Sequence, residues 1–291
     1  VLTNTRSVDP TEAAHRNQEI VTNATAAATR QNVRLSFVSR GDSTLRGHYP
    51  LETDTIAATL LEQSAEAIDA VIIVPAFPDA GRVTIGGIHY MRGSDGLVPI
   101  ADTEFAQDAT FGYRSSRLAE WVEEKSEGRR LASDVIVLDL GIIRTGAHAI
   151  ADAIQDAEQS QPVVADAVSE DDLRLLSLGL IESERRGKKL LHRVGPPFVR
   201  ARIGQEVRAP LVGAEIFAND ASDRLPGGLI VVGSHVGLTS RQLDRLLVAR
   251  PDAVRVEVDV EKVLDAATAP AYLSAIATSV SHHLTASDVI V

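Results

Sequence analysis

The sequence predicts an α/β protein of two domains, each built on a mainly parallel sheet flanked by helices. Short apolar runs suited to buried strands alternate along the chain with segments of helical periodicity. The chain has 291 residues, which is more than one hydrophobic core usually supports. The first domain is expected to carry a β-hairpin insertion. The second is expected to be incomplete, because the sequence stops on a strand-like run.

The amino-terminal part of the chain predicts three strands and two helices. Residues 1–7 are expected to form a strand that ends in a turn, and Asp9-Pro10 then starts a helix, since proline suits a first helical turn. A second strand is predicted at 35–38, followed by a polar turn and a helix over 50–61. A third strand at 71–74 must end at the prolines after it, because proline has no N–H for a ladder.

The middle of the chain predicts the hairpin and further alternating elements. Residues 83–100 alternate apolar and polar side chains around an Asp95-Gly96 turn, which is typical of a β-hairpin. A helix is predicted from Ser116, a suitable N-cap, to Gly128. A longer amphipathic helix is predicted over 171–186, with leucines along one stripe. Further strands are predicted at 135–138, 163–165 and 190–193.

The segment 204–228 contains prolines and paired glycines with little periodicity, which favours a domain boundary there. We therefore predict a first domain over residues 1–208, a linker over 209–228 and a second domain over 229–291. In the second domain, strands are predicted at 229–232 and 254–260, with helices over 240–249 and 270–284.

Composition excludes several functions. The net charge of −11 argues against a nucleic-acid or anionic-membrane partner, because an acidic surface repels both. The chain has no cysteine, which excludes disulfides, thiolate nucleophiles and cysteine-based metal sites. Its eight histidines lack the spacing of metal ligands. No apolar run approaches the ~20 residues of a membrane span, so we expect a cytoplasmic protein, and the sequence is compatible with a homo-oligomer.

The most informative segment is a polar turn over residues 39–47, at the carboxyl end of the second predicted strand. It contains an acid, hydroxyl groups, two arginines and two glycines, and ligands of open α/β sheets bind at such strand ends. Arginine holds a carboxylate through paired hydrogen bonds, and glycine lets the backbone close on a ligand. A polar turn with a capping Asp and a solvated Arg has the same composition, so the residues alone leave both interpretations open.

Residues 42–47 read Asp-Ser-Thr-Leu-Arg-Gly and resemble the substrate-domain signature of the four-carbon acid sugar kinase family. Other segments resemble the same family in the same order: 75–78 with 80–82, 87–90, 103–106, 111–116, and 232–234 with Thr239 and Gln242. Together they cover most of the chain. One departure is Arg40-Gly41, where the family usually has lysine and threonine before the signature Asp.

The resemblance implies an ATP-dependent kinase of tetronate-type sugar acids, in which residues 1–208 bind the acid and residues 229–291 begin the nucleotide-binding domain. Asp42 is the expected catalytic residue, since an alcohol needs a positioned proton acceptor. We expect substrate binding by Ser43, Thr44, Arg46, Gly47, Arg82 and His89. A salt bridge at the base of the hairpin is the alternative role for Arg82. A hydrogen-bonded structural histidine is the alternative for His89.

A nucleotide site is expected between the strand at 229–232 and the helix after it, where free N–H groups and the helix dipole suit a phosphate. The resemblance places Gly233, Ser234 and Thr239 near ATP, with Mg²⁺ expected as the partner of its phosphates. No glycine-lysine-serine/threonine loop of the P-loop type is present.

The family's amino-terminal Asp-Asp-Leu-Thr-Gly motif and its glycine-rich nucleotide segment do not occur in the sequence. We therefore expect an internal piece of a longer protein. This leaves an alternative function, a catalytically inactive module that binds sugar acids. A less favoured alternative is an aldolase or isomerase acting on related acids.

Overall fold

A computed structural model of the protein describes residues 1–216, 227–234 and 236–291 and confirms the predicted α/β class. The chain divides into two compact units, Val1–Arg208 and Ala209–Val291. The strands of the first unit are β1 (Val38–Arg40), β2 (Ala70–Val74), β3 (Arg82–Ile85), β4 (Ile88–Arg92), β5 (Leu97–Pro99), β6 (Ile136–Leu138), β7 (Gln161–Ala165) and β8 (Leu190–Val194). Its helices are α1 (Pro10–Gln31), α2 (Leu51–Ser64), α3 (Leu118–Lys125), α4 (Leu140–Thr145), α5 (Ala147–Ala153), α6 (Glu170–Arg185) and α7 (Pro196–Arg202).

The main sheet of the first unit is parallel, with the order β1-β8-β2-β7-β6. Ile72 and Val74 point to one face, where they meet apolar side chains of α5, α6 and α7. On α6 the predicted stripe is confirmed, because Leu173, Leu176 and Leu180 are fully buried. The intervening residues of β2 point to the other face of the sheet. On that face, α2 contacts β8 and α3 contacts β7.

The register of this sheet aligns the strand ends that precede the polar turn. Val194 at the end of β8 pairs with Arg40 at the end of β1 and with Val74 at the end of β2. The carboxyl ends of three neighbouring strands therefore meet at one edge. This edge is where ligands bind in open α/β sheets.

The predicted hairpin is a three-stranded antiparallel sheet with the order β3-β4-β5. Gly86 and Gly87 form its first turn with φ values of 59° and 72°, which tight hairpin turns require. Asp166, directly after β7, accepts hydrogen bonds from the N–H groups of both glycines at 2.6 and 2.9 Å. Thr84 also bridges to Ala167, so this small sheet is attached to the carboxyl edge of the main one.

Two predicted strands near the amino terminus are wrong in extent. Residues 1–4 form no strand, and residues 5–7 form a 3-10 turn. Val1 and Leu2 are almost fully exposed, because these apolar residues do not pair with a sheet. The strand expected at 35–38 is β1, which begins at Val38, the first residue in register with β8.

Ser116 does not cap α3 as predicted. Its hydroxyl accepts a hydrogen bond from the N–H of Ala101 at 2.8 Å, and the helix begins at Leu118 without a side-chain cap. The serine is therefore occupied in tying the helix start to the segment after β5.

The second unit contains a three-stranded parallel sheet with the order β10-β11-β9. Its elements are α8 (Gly213–Ile216), β9 (Leu229–Ile230), α9 (Gly237–Ala249), β10 (Val254–Arg255), α10 (Val260–Leu264), α11 (Ala269–His283) and β11 (Val289–Ile290). The strand predicted over 254–260 is shorter, because Asp259 caps α10 by accepting from the N–H of Glu261. Part of the predicted linker, residues 217–226, lies outside the described residues. Across the described ranges, no helix is long and apolar enough to cross a membrane.

Candidate functional site

The polar turn lies beside a cavity of about 400 Å³ in the first unit. Residues 1–6, α1, the segment 36–41 and the start of α2 form most of its wall. The turn contributes Asp42, Arg46 and Gly47 to the lining. The motif predicted from sequence therefore faces a space of the size that small ligands occupy.

The Asp42 carboxylate is the centre of a hydrogen-bond network within the turn. Its Oδ1 accepts from the Thr44 N–H at 3.0 Å, and its Oδ2 accepts from the Thr44 hydroxyl at 2.7 Å. Arg46 donates to the same Oδ2 at 3.2 Å, and Arg6 reaches it from the 3-10 turn at residues 5–7. Two cations and one hydroxyl therefore converge on one carboxylate.

This network lowers the pKa of Asp42. Burial alone would raise the pKa of Asp42, and it is the largest single influence. The hydrogen bonds from Thr44 and the charges of Arg6 and Arg46 together outweigh burial and hold the pKa below its usual range. Asp42 is therefore ionised at neutral pH and acts as a hydrogen-bond acceptor.

Ser43 and Thr44 point into the protein and are buried. The Ser43 hydroxyl accepts a hydrogen bond from Arg82 at 3.2 Å. The Thr44 hydroxyl is used within the turn, between Asp42 and Arg46, and the Thr44 carbonyl accepts from the Tyr113 hydroxyl at 2.8 Å. The hydroxyl groups of both residues therefore stabilise the turn. A ligand at these positions would contact their backbone atoms or the charged side chains bonded to them.

Arg46 and Arg82 lie against the same aromatic side chain. Their guanidinium carbons are 5.0 and 5.6 Å from the centre of the Phe105 ring, within the range of cation–π attraction. Arg46 also pairs with Asp108 at 3.4 Å. The mutual repulsion of the two arginines contributes, after burial, to a lowered Arg82 pKa. Two guanidinium groups in one place favour an anionic ligand.

His89 is fully buried, and both of its ring nitrogens have protein partners. Its Nε2 donates to the Ser43 carbonyl at 2.8 Å, and its Nδ1 accepts from the Thr84 hydroxyl at 2.9 Å. Burial lowers the pKa of His89 to about 4, which keeps the ring neutral. This geometry favours the structural alternative: His89 supports the turn from the small sheet.

The turn uses left-handed backbone at two positions. Gly47 has φ 126°, which glycine adopts without a side-chain clash. Leu45 has φ 67° although it is a fully buried leucine. Left-handed backbone at a residue other than glycine costs free energy and persists where the surrounding structure holds it. The buried side chain and the hydrogen bond from the Leu45 N–H to the Asp42 carbonyl at 3.1 Å provide that support.

The predicted nucleotide-site residues lie in the second unit, between β9 and α9. Gly233 and Ser234 are exposed, and a Cβ at Gly233 would meet open space. The Ser234 hydroxyl accepts from the Thr239 hydroxyl at 3.2 Å. The first turn of α9 has no side-chain cap. The Thr239 N–H already donates to the Val236 carbonyl at 2.9 Å, so the positive end of the helix is what would attract a phosphate here. His235, between these residues, lies outside the described residues.

No group of three or more His, Asp and Glu side chains in the described ranges is arranged to hold a metal ion. Asp42 of the turn and the nearby Asp108 are paired with arginines.

Two family models match the chain. The sugar-binding N-terminal domain matches residues 1–202, and the nucleotide-binding C-terminal domain matches residues 229–291. A D-threonate kinase from Salmonella typhimurium is 31% identical over 77% of this chain and 45% of the relative. A D-erythronate kinase from Heliobacterium modesticaldum is 28% identical over 84% of this chain and 48% of the relative. The chain spans about half the length of these curated relatives.

Solved structures agree on the fold. A Salmonella typhimurium protein superposes with a TM-score of 0.59 at 21% identity, covering 98% of this chain and 62% of that one. A domain of unknown function from Bordetella bronchiseptica was solved as a domain-swapped dimer with bound citrate. It superposes with a TM-score of 0.51 at 20% identity, covering 100% of this chain and 62% of that one. The two matching family models, over residues 1–202 and 229–291, establish that the chain belongs to the four-carbon acid sugar kinase family.

Proposed function

We propose that the protein acts in the ATP-dependent phosphorylation of a hydroxyl group on a four-carbon sugar acid of the threonate or erythronate type. The observation that carries this proposal is the meeting of Asp42, Arg46 and Arg82 at the carboxyl end of β1, where Asp42 and Arg46 also line a cavity. The names of the relatives, D-threonate kinase and D-erythronate kinase, support the substrate class.

The acid group of the substrate is assigned to the guanidinium groups of Arg46 and Arg82. Arginine binds a planar carboxylate through two parallel hydrogen bonds, and Phe105 holds both side chains in place. The hydroxyl groups of the substrate are assigned to Asp42, which is ionised and accepts hydrogen bonds. Gly47 supplies close backbone approach on the cavity side.

Asp42 is the residue of this turn proposed to orient the attacking hydroxyl. Its low pKa makes it a weak base. Phosphoryl transfer proceeds through a loose transition state, however, in which positioning and charge stabilisation contribute most of the rate. A carboxylate that orients the hydroxyl is therefore sufficient at this position, and strong proton abstraction is not required of it.

ATP is assigned to the second unit, where Gly233, Ser234 and Thr239 border the uncapped start of α9. ATP would supply the transferred phosphoryl group, with Mg²⁺ bound to its phosphates. A cytoplasmic location fits a protein that uses ATP and a small metabolite. A homo-oligomer is compatible with the family, since the Bordetella neighbour is a domain-swapped dimer.

A second candidate is a module that binds sugar acids without catalysing transfer. The observation that favours it is the lowered pKa of Asp42, because this carboxylate can accept hydrogen bonds from the hydroxyl groups of an acid but is a weak base. A sugar-acid aldolase or isomerase, which would turn over the acid without nucleotide, has no comparable support.

The three functions are separated by incubating the chain with a panel of tetronates, with and without Mg-ATP, and following ADP and phosphorylated acid. The kinase predicts ADP formation that requires a tetronate and loss of that activity in Asp42→Ala. The binding module predicts tetronate binding without ADP. Conversion of the acid in the absence of nucleotide would overturn both in favour of the aldolase or isomerase.

A further inference from the structure

A buried arginine outside the predicted site lies directly behind the signature turn. Arg193 is the fourth residue of β8, where it is in register with Ser39 of β1 and Ile73 of β2. Its side chain is 3% exposed. Its guanidinium carbon is 5.2 Å from the ring centres of both Tyr49 and Trp121, which stack on each other.

Among the described residues no acidic side chain forms a direct ion pair with Arg193, and the charges of Glu52 and Asp42 act on it from farther away. Arg6 and Arg46 are paired with Asp42, and Arg46 is also paired with Asp108. In contrast, Nη2 of Arg193 is buried with no hydrogen-bond partner among the described residues. A buried cation without an acid partner is costly. The two aromatic rings offset part of that cost.

Two glycines separate this cation from the cavity. A Cβ at Gly41 would lie 3.1 Å from Nη1 and 3.2 Å from Cζ of Arg193, which is closer than ordinary contacts allow. A Cβ at Gly47 would lie 3.8 Å from Nη2. Both glycines also line the cavity. The bare backbone at both ends of the turn therefore brings the Arg193 charge close to the ligand space.

We propose that Arg193 is a specificity-determining residue that makes the cavity prefer an acid over a neutral ligand of the same shape. This inference rests on the proposed function, because the acid is taken to be the carboxylate of the sugar acid. The charge acts from behind the turn, without touching the ligand. Its field is weakly screened because the guanidinium is surrounded by protein instead of water. An anion in the cavity adds to the counter-charges of Glu52 and Asp42, neither of which forms a direct ion pair with Arg193.

The test compares an acid with its neutral amide. Calorimetric titration would measure the affinity of the chain for threonate or erythronate, whichever binds more tightly, and for the corresponding amide. The wild type, Arg193→Gln and Arg193→Lys would be compared with Arg185→Gln. This control removes the same charge from an exposed position at the end of α6. Near-ultraviolet circular dichroism would confirm that each variant is folded.

In Arg193→Gln we expect the preference for acid over amide to fall by about tenfold, the loss of one weakly screened charge interaction. Arg193→Lys keeps the charge and should keep most of the preference, and Arg185→Gln should not change it. Equal loss of acid and amide binding would indicate a purely structural role and overturn the inference. So would an unchanged preference in a folded Arg193→Gln protein.

If Arg193→Gln does not fold, a second variant, Gly41→Ala, tests the same preference for acid over amide. Gly41→Ala retains the Arg193 cation but places a methyl group against it. It should therefore reduce the preference for acid over amide by displacing the guanidinium, and an unchanged preference would contradict the inference.

The wild type separates the role of Arg193 from the proposed function. If it binds the acid, only the role of Arg193 is in question. If no tetronate binds, the proposed function fails and the inference fails with it.

Discussion

At the scale of single residues, two buried histidines make the stability of the protein depend on pH between about 6.5 and 4. His89 and His192 are both fully buried. Burial is the main cause that lowers each pKa to about 4, against an ordinary value near 6.5. For His192 the charge of Arg202 adds to this effect. In the folded protein both rings are therefore neutral over a pH range in which the unfolded chain would protonate them.

The free energy of unfolding should therefore decrease as the pH falls from about 6.5 towards 4. Protons bind the unfolded state first, because its histidine pKa is the higher one, so the stability is fully present above about pH 6.5. Each histidine contributes a slope of up to about 1.4 kcal/mol per pH unit. Urea unfolding at pH values from 7.5 to 5 would measure this slope.

His192→Leu is the variant that isolates one of the two contributions. Neither ring nitrogen of His192 has a hydrogen-bond partner among the described residues, so leucine leaves no polar group behind that had relied on the ring. The slope between pH 6.5 and 5 should fall by about half. A slope that is zero in the wild type, or the same in the variant, would contradict the assignment of buried neutral histidines.

The residues of the candidate site were predictable where they belong to the signature motif or, like Arg82, to another segment that resembles the family. Asp42, Thr44 and Arg46 belong to one short motif and do meet around one carboxylate. Arg6 and Phe105 reach the same place from far along the chain. No local pattern marks them, because folding alone brings them to the turn. The position of Phe105 in a segment that resembles the family was the available signal for it.

At the scale of elements, α5 and α6 approach each other unusually closely at Gly179. A Cβ at this position would lie 2.4 Å from Cβ of Ile150 on α5 and 2.5 Å from its Cγ2. Those atoms are close to the backbone and cannot simply swing away. Glycine is therefore required by packing, although it weakens the helix interior by about 0.5–1 kcal/mol relative to alanine.

Gly179→Ala should destabilise the protein by about 1–3 kcal/mol, since overpacking costs more than the gain in helix propensity. Thermal or urea unfolding would measure it. Leu178→Ala is a suitable control, because Leu178 lies on the exposed side of the same helix and should change stability by less than about 0.5 kcal/mol. Stabilisation by Gly179→Ala would show that the two helices are not packed as described.

Periodicity predicted the elements well where the segments are long and buried. The helix expected over 171–186 is α6 (Glu170–Arg185), and the strand expected at 71–74 is β2 (Ala70–Val74). The pattern failed where strand formation depends on a partner. Residues 1–7 have a strand-like sequence but no neighbouring strand among the described residues. The segment 83–100 has three strands instead of two because Gly86 and Gly87, with positive φ, form a further hairpin turn.

At the scale of the whole molecule, charge is distributed to suit a small acid. The chain carries a net charge of −11, which opposes non-specific binding of large polyanions. Within the first unit, Arg6, Arg46, Arg82 and Arg193 surround the signature turn, near Asp42 and Asp108. Under the proposed function, this local positive site in an acidic protein would select for an anion small enough to enter the cavity.

The most direct test of this account is calorimetric titration of the whole chain with threonate and erythronate, comparing the wild type with Arg46→Ala and with the exposed control Arg185→Gln. We expect saturable binding of a tetronate by the wild type and the control. In Arg46→Ala we expect the affinity to be about 10- to 100-fold weaker, because a charged hydrogen-bond contact is lost. Tetronate binding of equal strength in a folded Arg46→Ala protein would contradict the placement of the acid at the signature turn.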